Sequence, residues 1–441
     1  MSDATISRLE RFMPPPHYRR NLALLIGDYV FFNVALAFMS DQSVLPSFVG
    51  QLTGSEVLVG LVGVMLPLGW VIPQLAIAPR VARANRKKPW VIRPGIVGRV
   101  VVFLIAGAIA LLGVENPAPV LVIFLLGYAT FAICDGMSSV GWIDLLGRVL
   151  PNVRRGRLFA IGRAVSGLLI AFGISEVVRY ILDPATGPDY PNDFALLFAL
   201  AGVGMTLSLA SFSLIREEPK PHSSAVNTIC RREYFTYLRH VLRHDAPFRH
   251  YLLTRVVFAL GGIATPFYIR FATEGLGIPS EDAVSGAIQI NTLSAMVAGL
   301  LMGWLNERYG SRPAILIGSV ALVTQPVMAL IAGTGPSWVI FLTFAATGVV
   351  VTSFGLGFLT WIIEYAGDDR RAVYFSLAST FVFFGVMSPI FGGVIAEQTS
   401  YQTLFAIALV IAVSAMALSL RLVESRTVQS PEFNLQPVEA E

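Results

Sequence analysis

Charged residues make up only 14% of this 441-residue chain, against roughly 25% in an ordinary soluble domain. With 55% hydrophobic residues and a mean hydropathy of +0.67, that deficit excludes a water-soluble globular protein. Cysteine is nearly absent. Cys134 sits in an apolar stretch and Cys230 in a basic loop, so no disulfide framework is implied. Lys87, Lys88 and Lys220 are followed by Lys, Pro and Pro, which excludes a P-loop and a self-contained ATP drive. Histidine is scarce as well. His240 and His244 have an i, i+4 spacing that can hold a metal, but they lie on a basic, solvated face, so neither a metal nor any other cofactor is expected. With no His in the interior of an apolar stretch, proton handling falls to carboxylates.

What is present is long apolar sequence. A membrane span needs about 20 apolar residues, and twelve stretches meet that length: 21–41, 56–78, 91–113, 118–145, 157–181 and 194–215, then 250–272, 283–305, 313–333, 336–363, 372–395 and 402–422. The first follows a polar, Arg-bearing segment, is too long for a signal h-region and lacks a small-residue cleavage site, so it reads as a mature helix. Threading the chain puts all Lys and Arg except Arg179 and Arg270 on one side. Retained positive charge marks the cytoplasmic side of short loops. The expected protein is therefore all-α and multi-pass in the cytoplasmic (inner) membrane, with both termini cytoplasmic. The formal charge of +4 reflects loop-end cations facing anionic lipid, and nucleic-acid binding is discounted.

The expected organisation is a cytoplasmic segment 1–20, a six-helix half 21–215, a linker 216–249, a second six-helix half 250–422 and a disordered tail 423–441. In the linker Ile229, Phe235, Leu238, Val241 and Leu242 fall at helical spacing beside Arg231, Arg232, Arg239 and Arg243, the pattern of an amphipathic helix on the inner leaflet. The halves echo one another. Gly141 opens GWIDLLGRVLPNVRRGR and Thr360 opens TWIIEYAGDDRRAVY; each places a Trp, a carboxylate (Asp144 or Glu364) and an Arg cluster (Arg154, Arg155, Arg157 or Arg370, Arg371). Such a parallel repeat implies a pseudo-two-fold axis along the membrane normal and a site between the halves.

Between stretches 8 and 9 the chain reads GWLNERYGSRP, Gly303 to Pro313. This resembles the signature loop of the major facilitator superfamily: Gly303, Leu305, Arg308, Gly310 and Arg312 match, with Glu307 in place of the family's Asp. The equivalent loop between stretches 2 and 3 keeps Arg80, Arg83, Arg86, Lys87 and Lys88 but has neither acid nor glycine. The resemblance implies twelve helices in two bundles and transport by alternating access, with helices 1, 4, 7 and 10 lining a cavity. It also implies a cytoplasmic latch of Glu307, Arg308 and Arg312 with Glu364, Arg370 and Arg371, matched in the first half by Asp144 with Arg154 and Arg157. The alternative is that these are ordinary topology charges.

Ionisable groups inside spans need a reason, since a charge at a helix centre costs roughly 2.5–3.5 kcal/mol on insertion scales. Asp28 and Asp135 stand in stretches 1 and 4. Tyr128, Phe131 and Asp135 share a helical face, and Phe31 and Phe32 sit beside Asp28. An aromatic wall with an acid suits a lipophilic cation or an amphipathic neutral molecule, and a buried carboxylate without a fixed partner can carry a proton between compartments. The competing reading is a structural ion pair with Arg99, Arg163 or Arg255. Arg255 also has two readings, as contact for an anionic substrate or as interface anchor. Asn33, Gln289, Asn291, Gln325 and Thr352 are polar candidates that equally well bridge helices. Pro67, Pro73, Pro266, Pro326 and Pro389 fall within spans, where they kink helices. The stripe Ala295, Gly299, Gly303 indicates close packing.

These features point to a monomeric secondary transporter, symporter or antiporter, of a small organic solute and protons in contact with membrane lipid. Efflux of amphipathic or cationic compounds is one form of it. The fifth stretch, IGRAVSGLLIAFG, lacks the Gly-Pro motif of the family's antiporters, so export is not implied. A lipid or lysolipid flippase of the same fold is the nearest alternative. A membrane enzyme would need a catalytic cluster at one interface, and only the Arg-flanked pair Asp368 and Asp369 is acidic there. A sensor would need an output domain, for which linker and tail are too short.

Overall fold

The computed structural model describes residues 17–113, 117–150, 152–217 and 243–427; the N-terminal segment, the amphipathic linker helix and the tail expected from sequence lie outside the described residues. Among the described residues eleven helices have the length and apolarity to cross a membrane, and Glu56–Trp70 supplies a shorter apolar one. The passes are α1 (Tyr18–Ala37, resuming at Val44–Thr53), α2 (Glu56–Arg83), α3 (Lys88–Leu112), α4 (Pro117–Val149), α5 (Asn152–Leu169, continued to Leu182) and α6 (Asn192–Ser213). The second set is α7 (Ala246–Leu260, then Phe267–Arg270), α8 (Ser280–Tyr309), α9 (Arg312–Thr334), α10 (Ser337–Ala366), α11 (Leu377–Gln398) and α12 (Tyr401–Leu420). Helices satisfy every backbone polar group internally, which a hydrocarbon solvent demands. The outer face is correspondingly apolar, with Leu111, Leu126, Leu300 and Val410 among the most exposed side chains.

Three boundaries depart from expectation. The first pass does not end at residue 41; it breaks over Phe38–Ser43 and resumes. There Ser40 offers the backbone other partners, its hydroxyl accepting from Gln42 N at 3.4 Å and its carbonyl from Leu45 N at 2.9 Å, the competition by which short polar side chains interrupt helices. The seventh pass breaks at its Gly261–Gly262 pair and Pro266, residues unfavourable in helix interiors. Finally, helical turns run through Phe358–Val386 without an assigned break, yet the chain reverses within them. Phe258 packs on Phe358 at 5.0 Å, and a side chain at Gly385 would meet the neighbouring Ala259. Asp245, fully buried, holds the reversal by accepting from the hydroxyls of Tyr365 (2.5 Å) and Tyr374 (2.8 Å) while capping α7 at Phe248 N.

The largest cluster of buried apolar side chains joins the two halves, with Phe48 and Phe124 from the first and Phe267 and Phe405 from the second, and each half adds aromatic contacts of its own. In the first, Phe48 meets Phe124 and Phe198 at 5.1 and 5.4 Å. In the second, Tyr251 stacks on Trp361 at 4.1 Å. The repeat is visible in how backbones cross. A Cβ on Gly136 of α4 would stand 2.0 Å from the Gly69 carbonyl of α2, and one on Gly348 of α10 would stand 2.3 Å from the Asn291 carbonyl of α8. Only glycine permits this approach. Gly136→Val is therefore expected to lower the melting temperature in detergent, by the roughly 1–3 kcal/mol typical of overpacking, whereas Gly107→Val, whose Cβ meets nothing, leaves it unchanged; equal melting of both would show that the crossing yields.

Candidate functional site

The two intramembrane acids lie inside the first half. Asp28 of α1 accepts from Ser208 Oγ of α6 at 2.6 Å and from the Trp142 indole N–H of α4 at 2.7 Å. Asp135 of α4 accepts from the Trp70 indole N–H of α2 at 2.7 Å. Arg99 of α3 donates to the carbonyls of Met205 and Gly95, both at 3.1 Å, and acts electrostatically on both carboxylates. Five helices thus converge on two carboxylates and one guanidinium. Tyr128 and Phe131 stack on this side too, Tyr128 lying 5.9 Å from Phe124 and 6.1 Å from Phe131, but both are 1% exposed and belong to the apolar core. Phe32 is half-buried, and Asn33 donates to the Tyr29 carbonyl at 2.8 Å.

Arg255 is buried in the second half. Its Nη1 reaches the Tyr251 hydroxyl at 3.3 Å, its guanidinium lies 5.3 Å from the Phe354 ring centroid, and its Nε has no partner. No carboxylate pairs with it among the described residues.

Polar groups meet across the dividing surface at mid-depth. Arg163 of α5, exposed, donates through Nη2 to Thr352 Oγ1 of α10 at 3.2 Å. The Thr352 hydroxyl is shared between the Gly348 and Ala295 carbonyls at 2.8 and 3.2 Å, and Gly299 of α8 faces Arg163. Tyr29 of α1 packs against Gly162 and, edge-on at 6.0 Å, against Phe159. Towards the end away from the termini, Asn291 donates to Gln42 at 2.6 Å. The breaks of α1 and α7 meet there around a cavity of about 20 Å³ bordered by Ser43, Thr265 and Thr347, room for a water or two.

The two ends of the molecule are held differently. At the far end the contacts join the halves. Arg270 of α7, 3% exposed, pairs with Glu56 of α2 at 3.2 Å and with Glu274 at 2.5 Å. The Tyr401 hydroxyl donates to Glu56 at 2.6 Å, and Arg179 of α5 pairs with Asp282 of α8 at 2.9 Å. Glu397 accepts from Ser55 Oγ and Val57 N, both at 3.3 Å. The two cations that fall on the side opposite all others are thus, among the described residues, the two that form ion pairs between the halves, one from each half.

At the end carrying the termini, the ion pairs and hydrogen bonds that follow each stay within one half. Lys87 pairs with Asp144 at 2.7 Å. Glu364 receives Arg426 at 3.0 and 2.9 Å and Ser425 Oγ at 2.5 Å. Glu217 accepts from the N–H groups of Lys87 and Lys88 at 2.6 and 3.0 Å, while Glu424 accepts from those of Ser311 and Arg312, both at 3.1 Å. Each acid stands four residues past the end of the last helix of its half and closes the start of the third, where free N–H groups favour negative charge. Gly310 has φ +85° and a Cβ there would strike the Glu424 carboxylate; Gly303 faces open space. Glu307 contributes its carbonyl to Arg426 at 3.2 Å. Arg312 donates to the Leu420 carbonyl at 2.7 Å, and Arg308 lies over the Trp304 and Tyr309 rings. Arg157 is exposed. The side chains of Arg154, Arg370 and Arg371 lie outside the described residues.

Glu56, Glu217, Asp282, Glu424 and Arg426 were not singled out from sequence, and Arg163 was named there only as an ion-pair partner for the acids. The matched position of Glu217 and Glu424 is the signal that finds two of them.

The chain matches the family model described as Major Facilitator Superfamily over residues 30–387 and again over 262–438. Uncharacterized proteins of Mycobacterium tuberculosis and Mycobacterium bovis are each 24% identical to it over 436 residues, 94% of this chain and 79% of the relative. Among solved structures, a D-xylose-proton symporter superposes with a TM-score of 0.67 at 13% identity, covering 93% of this chain and 98% of that one. The nucleoside transporter NupG gives 0.64 at 15%, covering 91% and 98%, and a POT family transporter in complex with 5-aminolevulinic acid gives 0.65 at 12%, covering 92% and 97%. At these identities the likeness shows the fold.

Proposed function

The chain belongs to the major facilitator superfamily and is a multi-pass membrane transporter of a solute rather than an enzyme; from that premise we propose that it moves a small organic solute across the cytoplasmic membrane by alternating access, coupled to protons. With both termini cytoplasmic, as the positive charge distribution favours, the form described is closed on the outside by Arg270–Glu56 and Arg179–Asp282 and free to part on the inside.

The observation that carries the reading is Arg163. It is an exposed cation at mid-depth, on the dividing surface, hydrogen-bonded to a hydroxyl of the other half. Its charge favours a solute bearing a carboxylate or another strong acceptor over the lipophilic cation suggested by the aromatic-and-acid pattern, because Asp28 and Asp135 turn into the first half. Their task is then the proton. Two carboxylates and one guanidinium lie in one apolar bundle, so a proton held on one carboxylate leaves the cluster neutral, as burial in a membrane favours. Movement of α1 against α4 and α6 alters the indole and hydroxyl bonds to Asp28 and thereby couples the proton to the state of the transporter.

Proteoliposomes with an internal pH dye, challenged with organic acids, sugars, amino acids and lipophilic cations, test this. Wild type is expected to show proton flux with an acceptor-bearing solute. Asp135→Asn is expected to lose that flux while keeping solute exchange. Equal proton flux in both proteins, or solute uptake with no proton movement in wild type, sinks the coupling.

A further inference from the structure

On the outer flank of the first half, away from the dividing surface, a basic cavity of about 700 Å³ opens at the terminal end between the starts of α1 and α3 and the end of α6. Arg86, Lys88, Arg93, Arg216 and His17 border it. Its one carboxylate, Glu217, is taken up by the Lys87 and Lys88 N–H groups and lies 3.7 Å from Arg148. Lys88 is engaged with the Ile215 carbonyl at 3.0 Å, and Arg216 approaches His17 at 3.3 Å. Arg86 and Arg93 are exposed and have no carboxylate partner among the described residues. The cavity is therefore cationic in excess, with two guanidinium groups free to bind.

Directly beside it, sharing Pro89 and Arg93, a groove of about 410 Å³ runs along α3 and α4 past Trp90, Pro94, Val97 and Met137. Apart from Arg93 its lining is apolar. A cationic cup at the membrane surface that continues into an apolar trough at hydrocarbon depth has the shape and polarity of one kind of molecule. We propose that the two together form a binding site for an anionic phospholipid, with Arg93 and Arg86 holding the phosphodiester and one acyl chain lying along Val97 and Met137. Juxtamembrane basic clusters attract anionic lipid in general; what singles out this one is the contiguous acyl trough and the excess of cations over carboxylates among the described residues. Arg93 is the hinge of the site, because it borders both compartments. A guanidinium also matches phosphate in a fork geometry that Lys cannot reproduce.

The full chain is to be purified in mild detergent and examined by native mass spectrometry with added phosphatidylglycerol or phosphatidylcholine of the same acyl composition. Phosphatidylglycerol is expected to form the more abundant adduct. Removing two surface cations is expected to weaken it by an order of magnitude or more, so Arg86→Gln with Arg93→Gln should bring it to the phosphatidylcholine level. Met137→Trp, which fills the trough and leaves the cations, should weaken both lipids. Glycerol 3-phosphate at millimolar concentration should not displace the lipid. Equal adducts for the two lipids in wild type, an undiminished preference in the double variant, or displacement by glycerol 3-phosphate would overturn the proposal, the last pointing to a free phosphate site. Melting temperature of each variant separates misfolding from loss of the site: a variant that melts early is replaced by Arg93→Lys, expected to keep the charge preference at reduced strength.

Discussion

Replacing Arg270 with Gln is expected to open the far end of the protein. Arg270 is 3% exposed and its guanidinium lies against Gly50, where a Cβ would meet it, between Glu56 and Glu274. Removing one partner of such a buried pair leaves an uncompensated charge, a destabilisation of about 3–5 kcal/mol. The penalty falls on the closed form alone, because Glu56 regains water once α2 and α7 separate. A ligand or mutation shifts a two-state equilibrium by as much as its differential effect on the two states, so the open fraction is expected to rise by about 10² or more. Ser47, 3% exposed and 3.4 Å from Ser280 across the halves, is the reporter. As a single cysteine in a chain freed of Cys134 and Cys230, it should react with a membrane-impermeant maleimide at least tenfold faster in Arg270→Gln. Adding Glu56→Gln removes the orphaned charge and should return most of the protection. Unchanged reactivity in the single variant would mean that the apolar contacts of α2 with α11, such as Gly60 against the Pro389 carbonyl, hold the end shut unaided.

Arg270 also illustrates what was legible in the sequence. Charge asymmetry alone isolated it with Arg179, but nothing in one dimension says that each would find a carboxylate on the opposite half. Apolar length gave the passes. It missed the interruption of α1, because Ser40, Asp41, Gln42 and Ser43 are few and flanked by strongly apolar residues, so a span-length average passes over them. Helical periodicity correctly groups Tyr128, Phe131 and Asp135 on one face; it is silent on which neighbour that face meets. Here the neighbours are α2 and α3, because Gly69, Ala132 and Gly136 draw the backbones of α2 and α4 together. Glu217 and Glu424 become legible only when the ends of the two halves are laid on one another. Arg426 stands beyond the last span and pairs back to Glu364 by a fold that no local pattern encodes.

Arg163→Ala is expected to weaken solute binding strongly while leaving the fold intact, and the two effects are separable on physical grounds. Arg163 is exposed and forms no ion pair among the described residues. Its partner Thr352 keeps the Gly348 and Ala295 carbonyls when the guanidinium is gone, so no buried group is orphaned and the melting temperature should move little. A solute acceptor that loses a charged donor forfeits about 1.5–3 kcal/mol, which corresponds to roughly 10- to 150-fold in affinity. Arg163→Lys keeps the charge but not the planar fork and should fall between. Thr352→Val removes the hydroxyl that positions Nη2 and should weaken binding less than loss of the charge, because the guanidinium remains at the dividing surface. Counterflow exchange in proteoliposomes reads these variants without requiring a proton gradient, so a defect there belongs to solute recognition and not to coupling. An Arg163→Ala protein that exchanges solute with a half-saturation constant within about twofold of wild type would remove Arg163 from the site and leave Arg255, the buried guanidinium with an unpartnered Nε, as the cation to examine next.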